Sequence, residues 1–143
     1  MSVGTVVLTP GSAYAVPGAL DLSADMPAAD QWTARVAIGI AAAAEQLTPP
    51  LLLVLTGPAA AQAPHLGFAQ RSARRAVGGY VLVDPVLPRP GAVSDWPDAP
   101  VTVVITGEAD EDVRSAALGA RLRGWEVLEG DAASIIAEVA ARP

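Results

Sequence analysis

Apolar residues in this chain come in short dense runs cut by turn residues, and strand-like runs alternate with stretches of helical spacing. Val3 to Leu8 (VGTVVL) is β-branched and apolar and is stopped by Thr9-Pro10-Gly11, which predicts a buried strand. The following SAYAVPGALDLSADMPAA holds Pro, Gly and Asp without periodicity and reads as loop. Asp30 can cap a helix to about Leu47, in which Val36, Ala37, Ile40, Ala41, Ala44 and Leu47 form one apolar stripe. Thr48-Pro49-Pro50 ends it. Leu51 to Leu55 is an unbroken apolar run, as expected of a strand covered on both faces. A second helix is predicted from Pro58, suited to a first helical turn, to about Arg75, with Gly78-Gly79 as its breaker. Tyr80 to Val83 and Val101 to Ile105 are strands, joined by a Pro-rich segment over 84–99 that regular structure excludes. Asp110 to Arg123 is helical and ends at Gly124, Trp125 to Leu128 is a short strand, and Asp131 caps a last helix facing the core with Ala132, Ile135, Ile136 and Val139.

Strands alternating with helices predict an α/β fold: a three-layer α/β/α sandwich with a mostly parallel sheet of about five strands and right-handed crossovers. With no repeat or linker in its 143 residues, the chain is expected to form a single domain over 1–143. Ligands of such sheets bind beyond the carboxyl ends of the strands. The turns to search are therefore Thr9–Tyr14, Thr56–Ala60, Asp84–Arg89, Thr106–Asp112 and Glu129–Ala132.

Composition narrows the chemistry. Aromatic residues are only 4%, so the core is expected to consist of Val, Leu, Ile and Ala. A net charge of −6, with every basic residue an arginine, argues against nucleic acid, whose phosphates reward clustered Lys and Arg. The absence of cysteine removes disulfides, a thiol nucleophile and thiolate metal sites, and a single histidine removes a His-rich zinc site; no metal and no cofactor is expected. The amino terminus lacks a signal-peptide pattern, and no apolar run approaches the ~20 residues a membrane helix requires. The expectation is a soluble cytoplasmic protein without a membrane partner.

With the turns aligned, the chain resembles the α/β-hydrolase superfamily in a compact, lidless form. VVLTPGS looks like the strand and His-Gly turn that supply part of the oxyanion hole, with Pro10 in the place of the His and Gly11 keeping the Gly. LLLVLTGPAAAQAP looks like the strand and nucleophile elbow, GYVLVDPVLPRPG like the following strand and its exit. PVTVVITGEAD resembles the strand whose turn carries the triad acid, which would be Asp110, and GWEVLEGD the last strand, where Gly-His is usual. The elbow presents a serine on a strained strand-to-helix turn. Here that position falls on Gly57 or Pro58, neither a nucleophile, and Gly130-Asp131-Ala132 stands where the histidine belongs. Two of the three triad members are missing, so ordinary esterase chemistry is not expected.

The remaining candidates each carry a functional and a structural reading. Thr56 is the one hydroxyl at the elbow, a ligand hydrogen-bonder or a group satisfying a strand-end carbonyl. Gly11, Ser12 and Tyr14 could bind a carbonyl or oxyanion through N–H and hydroxyl groups, or form a simple turn. Asp84 is an acid or base in the crevice or an Asp-Pro turn opener. Asp110 and Asp131 are catalytic carboxylates or helix caps. His65, the one side chain that ordinarily titrates near neutrality, is a proton carrier or a half-buried structural residue. Arg71, Arg74 and Arg75 bind an anion or make a solvated face. Trp96 covers the crevice as the stub of a lid or plugs the edge of the core.

The reading that follows is a small-molecule-binding protein without a triad, with Gly11, Ser12, Tyr14, Thr56, Gly57 and Trp96 at the ligand and Asp84, Asp110 or His65 moving protons. It would be a non-hydrolytic cyclase, isomerase or lyase acting on a small apolar or carbonyl-bearing molecule. The alternative is an inactive pseudo-hydrolase serving as a scaffold, with a homodimer through a self-pairing sheet edge among its partners.

Overall fold

A computed structural model describes residues 2–107 and 110–143. Among these residues all strands are parallel and form one six-stranded sheet in the order β2-β1-β3-β4-β5-β6, with β1 Thr5–Leu8, β2 Leu20–Asp21, β3 Leu51–Thr56, β4 Val77–Val83, β5 Val101–Ile105 and β6 Glu126–Glu129. The helices are α1 Trp32–Ala42, α2 Ala63–Ser72, α3 Glu111–Leu122 and α4 Ala132–Ala140. The fold is therefore the expected α/β sandwich with one strand more than predicted. The extra strand, β2, is two residues long and pairs through Val7–Leu20 and Leu8–Asp21. Two residues carry no periodicity, so nothing in the sequence separated β2 from loop.

The alternation of side chains along a strand divides the core. One face of the sheet, with Leu51, Leu53, Leu55, Tyr80 and Leu82, packs under α1, α2 and α3; the other, with Leu52, Val54, Val81 and Val83, meets α4 and the loop around Tyr14 and Val16. The sandwich is lopsided, three helices on one face and one on the other. The unbroken LLLVL run is explained by this: every residue of Leu51–Leu55 is fully buried.

Several expected boundaries move. Asp30 lies inside a 3-10 turn, Ala29–Gln31, and accepts no capping hydrogen bond; the stripe of α1 begins earlier, at buried Trp32, and continues through Val36 and Ile40. The helix predicted from Pro58 is a 3-10 segment, Gly57–Gln62, followed by α2. Gly78 and Gly79 do not break α2; they belong to β4. Their reason is space, because a Cβ would stand 3.0 Å from Pro50 Cβ at Gly78 and 3.1 Å from Leu52 Cδ1 at Gly79. α2 ends instead at Ser72, with Ala73 as its C-cap and Arg74 just beyond at φ 59°. The helix caps Asp110 and Asp131 and the left-handed Gly124, at φ 79°, stand where the pattern put them.

Trp96 plugs the core edge. Its ring meets Tyr80 edge-on at 5.3 Å between centroids and Trp125 at 5.6 Å. Trp125 directly precedes β6 and Tyr80 pairs with Val101, the first residue of β5, so this cluster sits at the amino ends of those strands. The expected crevice is at their other ends, and a lid role for Trp96 does not fit this placement. No helix among the described residues is long and apolar enough to cross a membrane.

Candidate functional site

In a sheet of this order the chain leaves β1 toward β2 on one side and returns to β3 on the other, which makes the carboxyl ends of β1 and β3 a crevice where ligands bind. A row of hydroxyls runs along that edge of the sheet. Thr9 Oγ1 donates to the Val54 carbonyl at 2.6 Å, and Ser12 Oγ lies 3.3 Å from the same oxygen. Ser12 Oγ is 2.8 Å from Thr56 Oγ1, which is in turn 3.0 Å from the Tyr14 phenol oxygen. The sequence produces this locally: β1 and β3 pair in register up to Leu8 and Val54, and the turn after Leu8 folds Ser12 back, its N–H donating to Thr9 O at 2.9 Å. Ser12 is fully buried, whereas Tyr14 and Thr56 are half-buried and reachable from outside. The row therefore has one end, Thr56 and Tyr14, that is reachable from outside.

The bend after β3 is at Gly57. Thr56 is still extended, with φ −126° and ψ 137°, and the next residue turns to φ 61°. Whereas Pro58 is the second residue of the 3-10 segment, Gly57 is the first residue after β3, and its left-handed backbone disfavours a side chain. A Cβ placed there meets nothing within 4 Å, so open space lies where an elbow would hold its nucleophile. Gly11 likewise requires glycine, at φ 92°, and a Cβ on it would approach Met26 Cε to 3.0 Å. Because the Ser12 N–H is used inside the turn, an oxyanion hole made from the Gly11–Ser12 pair would have only Gly11 to donate.

Asp84 borders the same edge, at the end of β4. Both its oxygens are engaged: Thr106 donates its N–H to Oδ1 at 2.9 Å and its hydroxyl to Oδ2 at 2.6 Å. The carboxylate thus ties the end of β4 to the end of β5, and the ties hold Asp84 at φ 43°, a left-handed conformation uncommon outside Gly, Asn and Asp. Its charge still reaches the crevice. Burial pushes the Tyr14 phenol above its ordinary value; the Thr56 hydrogen bond opposes this and the nearby Asp84 charge adds to it. Tyr14 is accordingly held as a protonated phenol, able to donate.

The other candidates are placed elsewhere or engaged otherwise. Asp110 is exposed and accepts the Val113 N–H at 2.9 Å as the cap of α3; Glu108 and Ala109, in the same expected turn, lie outside the described residues. Asp131 caps α4 through Ser134, N–H and hydroxyl both. His65 is on an exposed position of α2 and makes no side-chain hydrogen bond to the hydroxyl row. Trp96 is at the amino-end cluster described above. The three arginines diverge: Arg71 lies 3.9 Å from Asp98, and Arg75 donates to Gln70 Oε1. Among the described residues no group of three His, Asp or Glu side chains could hold a metal ion.

The partner of Asp84, Thr106, opens one of the turns marked for search but was given no role from sequence, although a Thr closing a β-strand beside an Asp-ended one is a signal of such a tie. Comparison with family models, with curated proteins and with solved structures gives no match to this chain.

Proposed function

We propose that the protein is a hydrolase-like domain that binds a small organic molecule reversibly at the carboxyl edge of its sheet and forms no acyl intermediate. The observation that carries this reading is the elbow: Gly57 bends at φ 61° over open space, and the neighbouring hydroxyl, Thr56, is already hydrogen-bonded to Ser12 and Tyr14. A threonine nucleophile needs a base beside it. Asp84 is committed to Thr106, Asp110 to the start of α3, and His65 stands on the exposed side of α2. The hydrolase-like part of the reading is supported by the strand, left-handed bend and helical segment in that order, the build of a nucleophile elbow.

The ligand is a molecule with a carbonyl or hydroxyl group, met by Tyr14 and Thr56, and an apolar body in the space above Gly57. Chemistry at such a site is rearrangement or elimination by positioning, with Tyr14 Oη as the hydrogen-bond and proton donor. In a thermal-shift screen of carbonyl-bearing apolar compounds, hits stabilise the protein and their effect disappears in Tyr14→Phe. Fluorophosphonate labelling of the wild type that is lost in Thr56→Val would overturn the proposal.

A second reading, a scaffold with no ligand, is favoured by one observation: Leu118 and Leu122 stand 57% and 82% exposed on α3. Absence of any hit, together with a concentration-dependent dimer that Leu122→Glu dissolves, would favour it.

A further inference from the structure

On the opposite side of the β1 turn from the hydroxyl row lies a cavity of about 510 Å³, within the range of small-molecule sites. Pro10 closes its near end, and α1 and the 21–28 segment form its walls. Leu22, Met26 and Val36 give it an apolar surface, with Met26 63% exposed. Three charged side chains line it as well: Asp21, Asp25 and Arg35. Arg35 is exposed and, like Arg74, Arg75, Arg89, Arg121 and Arg123, makes no ion pair among the described residues; it is the arginine of that set that lines this cavity. Asp21 is held in place by accepting from the Ser23 N–H at 2.9 Å and from the Ser23 hydroxyl.

A guanidinium without a partner, facing the same space as two carboxylates beside an apolar wall, is complementary to a ligand carrying both charges. A carboxylate alone would meet Arg35 but also two like charges; an amine alone would leave Arg35 unanswered. Arginine suits carboxylate recognition because its planar fork can donate two parallel hydrogen bonds.

We propose that the cavity between α1 and the 21–28 segment binds a small zwitterion with an apolar body, of the free amino acid type, its carboxylate on Arg35, its ammonium toward Asp25 and Asp21, and its side chain on Leu22, Met26 and Val36. This site is separate from the hydroxyl row and does not depend on what binds there. The two are nevertheless neighbours, since Met26 Cε is the atom a Cβ on Gly11 would meet.

Calorimetric titration of the intact protein with L-leucine, with isocaproate (the same carbon skeleton, carboxylate only) and with isopentylamine (ammonium only) tests it. Leucine is expected to bind, with each single-charge analogue weaker by about tenfold or more, the effect of losing one charge-assisted hydrogen bond. Arg35→Gln, at an exposed position that leaves the fold intact, weakens leucine by at least about tenfold, Ala28→Trp fills the cavity and abolishes binding, and Arg114→Gln changes nothing. Tyr14→Phe, which tests the crevice, leaves leucine binding as it was. Three results would overturn the proposal: no heat with leucine, leucine affinity unchanged in Arg35→Gln, or isocaproate binding as tightly as leucine.

Discussion

Replacing Gly67 by alanine should destabilise the protein even though alanine is the better helix former. Gly67 is buried on α2 against β4, and a Cβ built there falls inside the contact distance of the Tyr80 phenol oxygen, with Cζ at 3.1 Å and Cε1 at 3.4 Å. The phenol cannot step aside freely. Its hydroxyl donates to Asp98 Oδ1 at 2.7 Å, and Trp96 packs on its ring. Helix propensity contributes about 1 kcal/mol in favour of alanine. Against it stand overpacking, about 1–3 kcal/mol, and disruption of a hydrogen bond to a carboxylate, about 1.5–3 kcal/mol. The net expectation is a loss of about 2–5 kcal/mol. In a Tyr80→Phe background the clashing oxygen is gone and the nearest atom is 3.1 Å away, so a few tenths of an ångström suffice and Gly67→Ala costs under about 1 kcal/mol. Urea denaturation followed by tryptophan fluorescence on the four proteins of this cycle gives the coupling energy, expected at about 1.5 kcal/mol or more. A Gly67→Ala protein more stable than wild type, or the same cost in both backgrounds, would refute the packing argument.

Two further outcomes follow from the same geometry. The chain has no lysine and no cysteine, and its two tyrosine phenols are both raised above 10.0, each chiefly by burial. Below that value folded and unfolded chains hold the same phenolic protons; above it the unfolded chain releases protons the folded one retains, so stability falls as pH rises past 10. Tyrosinate absorbance should therefore appear later in the native than in the urea-unfolded protein, and Tyr80→Phe should flatten the alkaline fall; coincident native and unfolded titrations would contradict this. Asp84→Ala should cost about 2–4 kcal/mol by removing both ties to Thr106 and leaving a left-handed residue ill suited to alanine, while Asp84→Asn, which tolerates that conformation and keeps an acceptor, should cost about half as much in thermal unfolding. Equal costs for the two would show that neither the retained acceptor nor the backbone conformation sets the penalty, and would refute this account.

Apart from the two-residue β2, the sequence by itself determined the order of strands and helices and therefore the fold class. Apolar runs such as Leu51–Leu55 can be satisfied only by a strand buried on both faces, and Asp110, Asp131 and Gly124 mark helix ends by hydrogen-bonding and backbone preferences local to each residue. It also showed that Gly57-Pro58 lacks a nucleophile. Tertiary structure alone decided the rest, because each remaining feature depends on residues far apart in the chain. Whether Gly78 and Gly79 break a helix or lie in a strand turns on how closely β4 approaches Pro50 and Leu52, and whether Trp96 lids the crevice or seals the core on where Tyr80 and Trp125 stand. The hydroxyl row joins Ser12 to Thr56 across 44 positions, and the tie from Asp84 to Thr106 crosses 22. Local propensity acts over a few neighbours, whereas these contacts exist only once parallel strands have brought their carboxyl ends together.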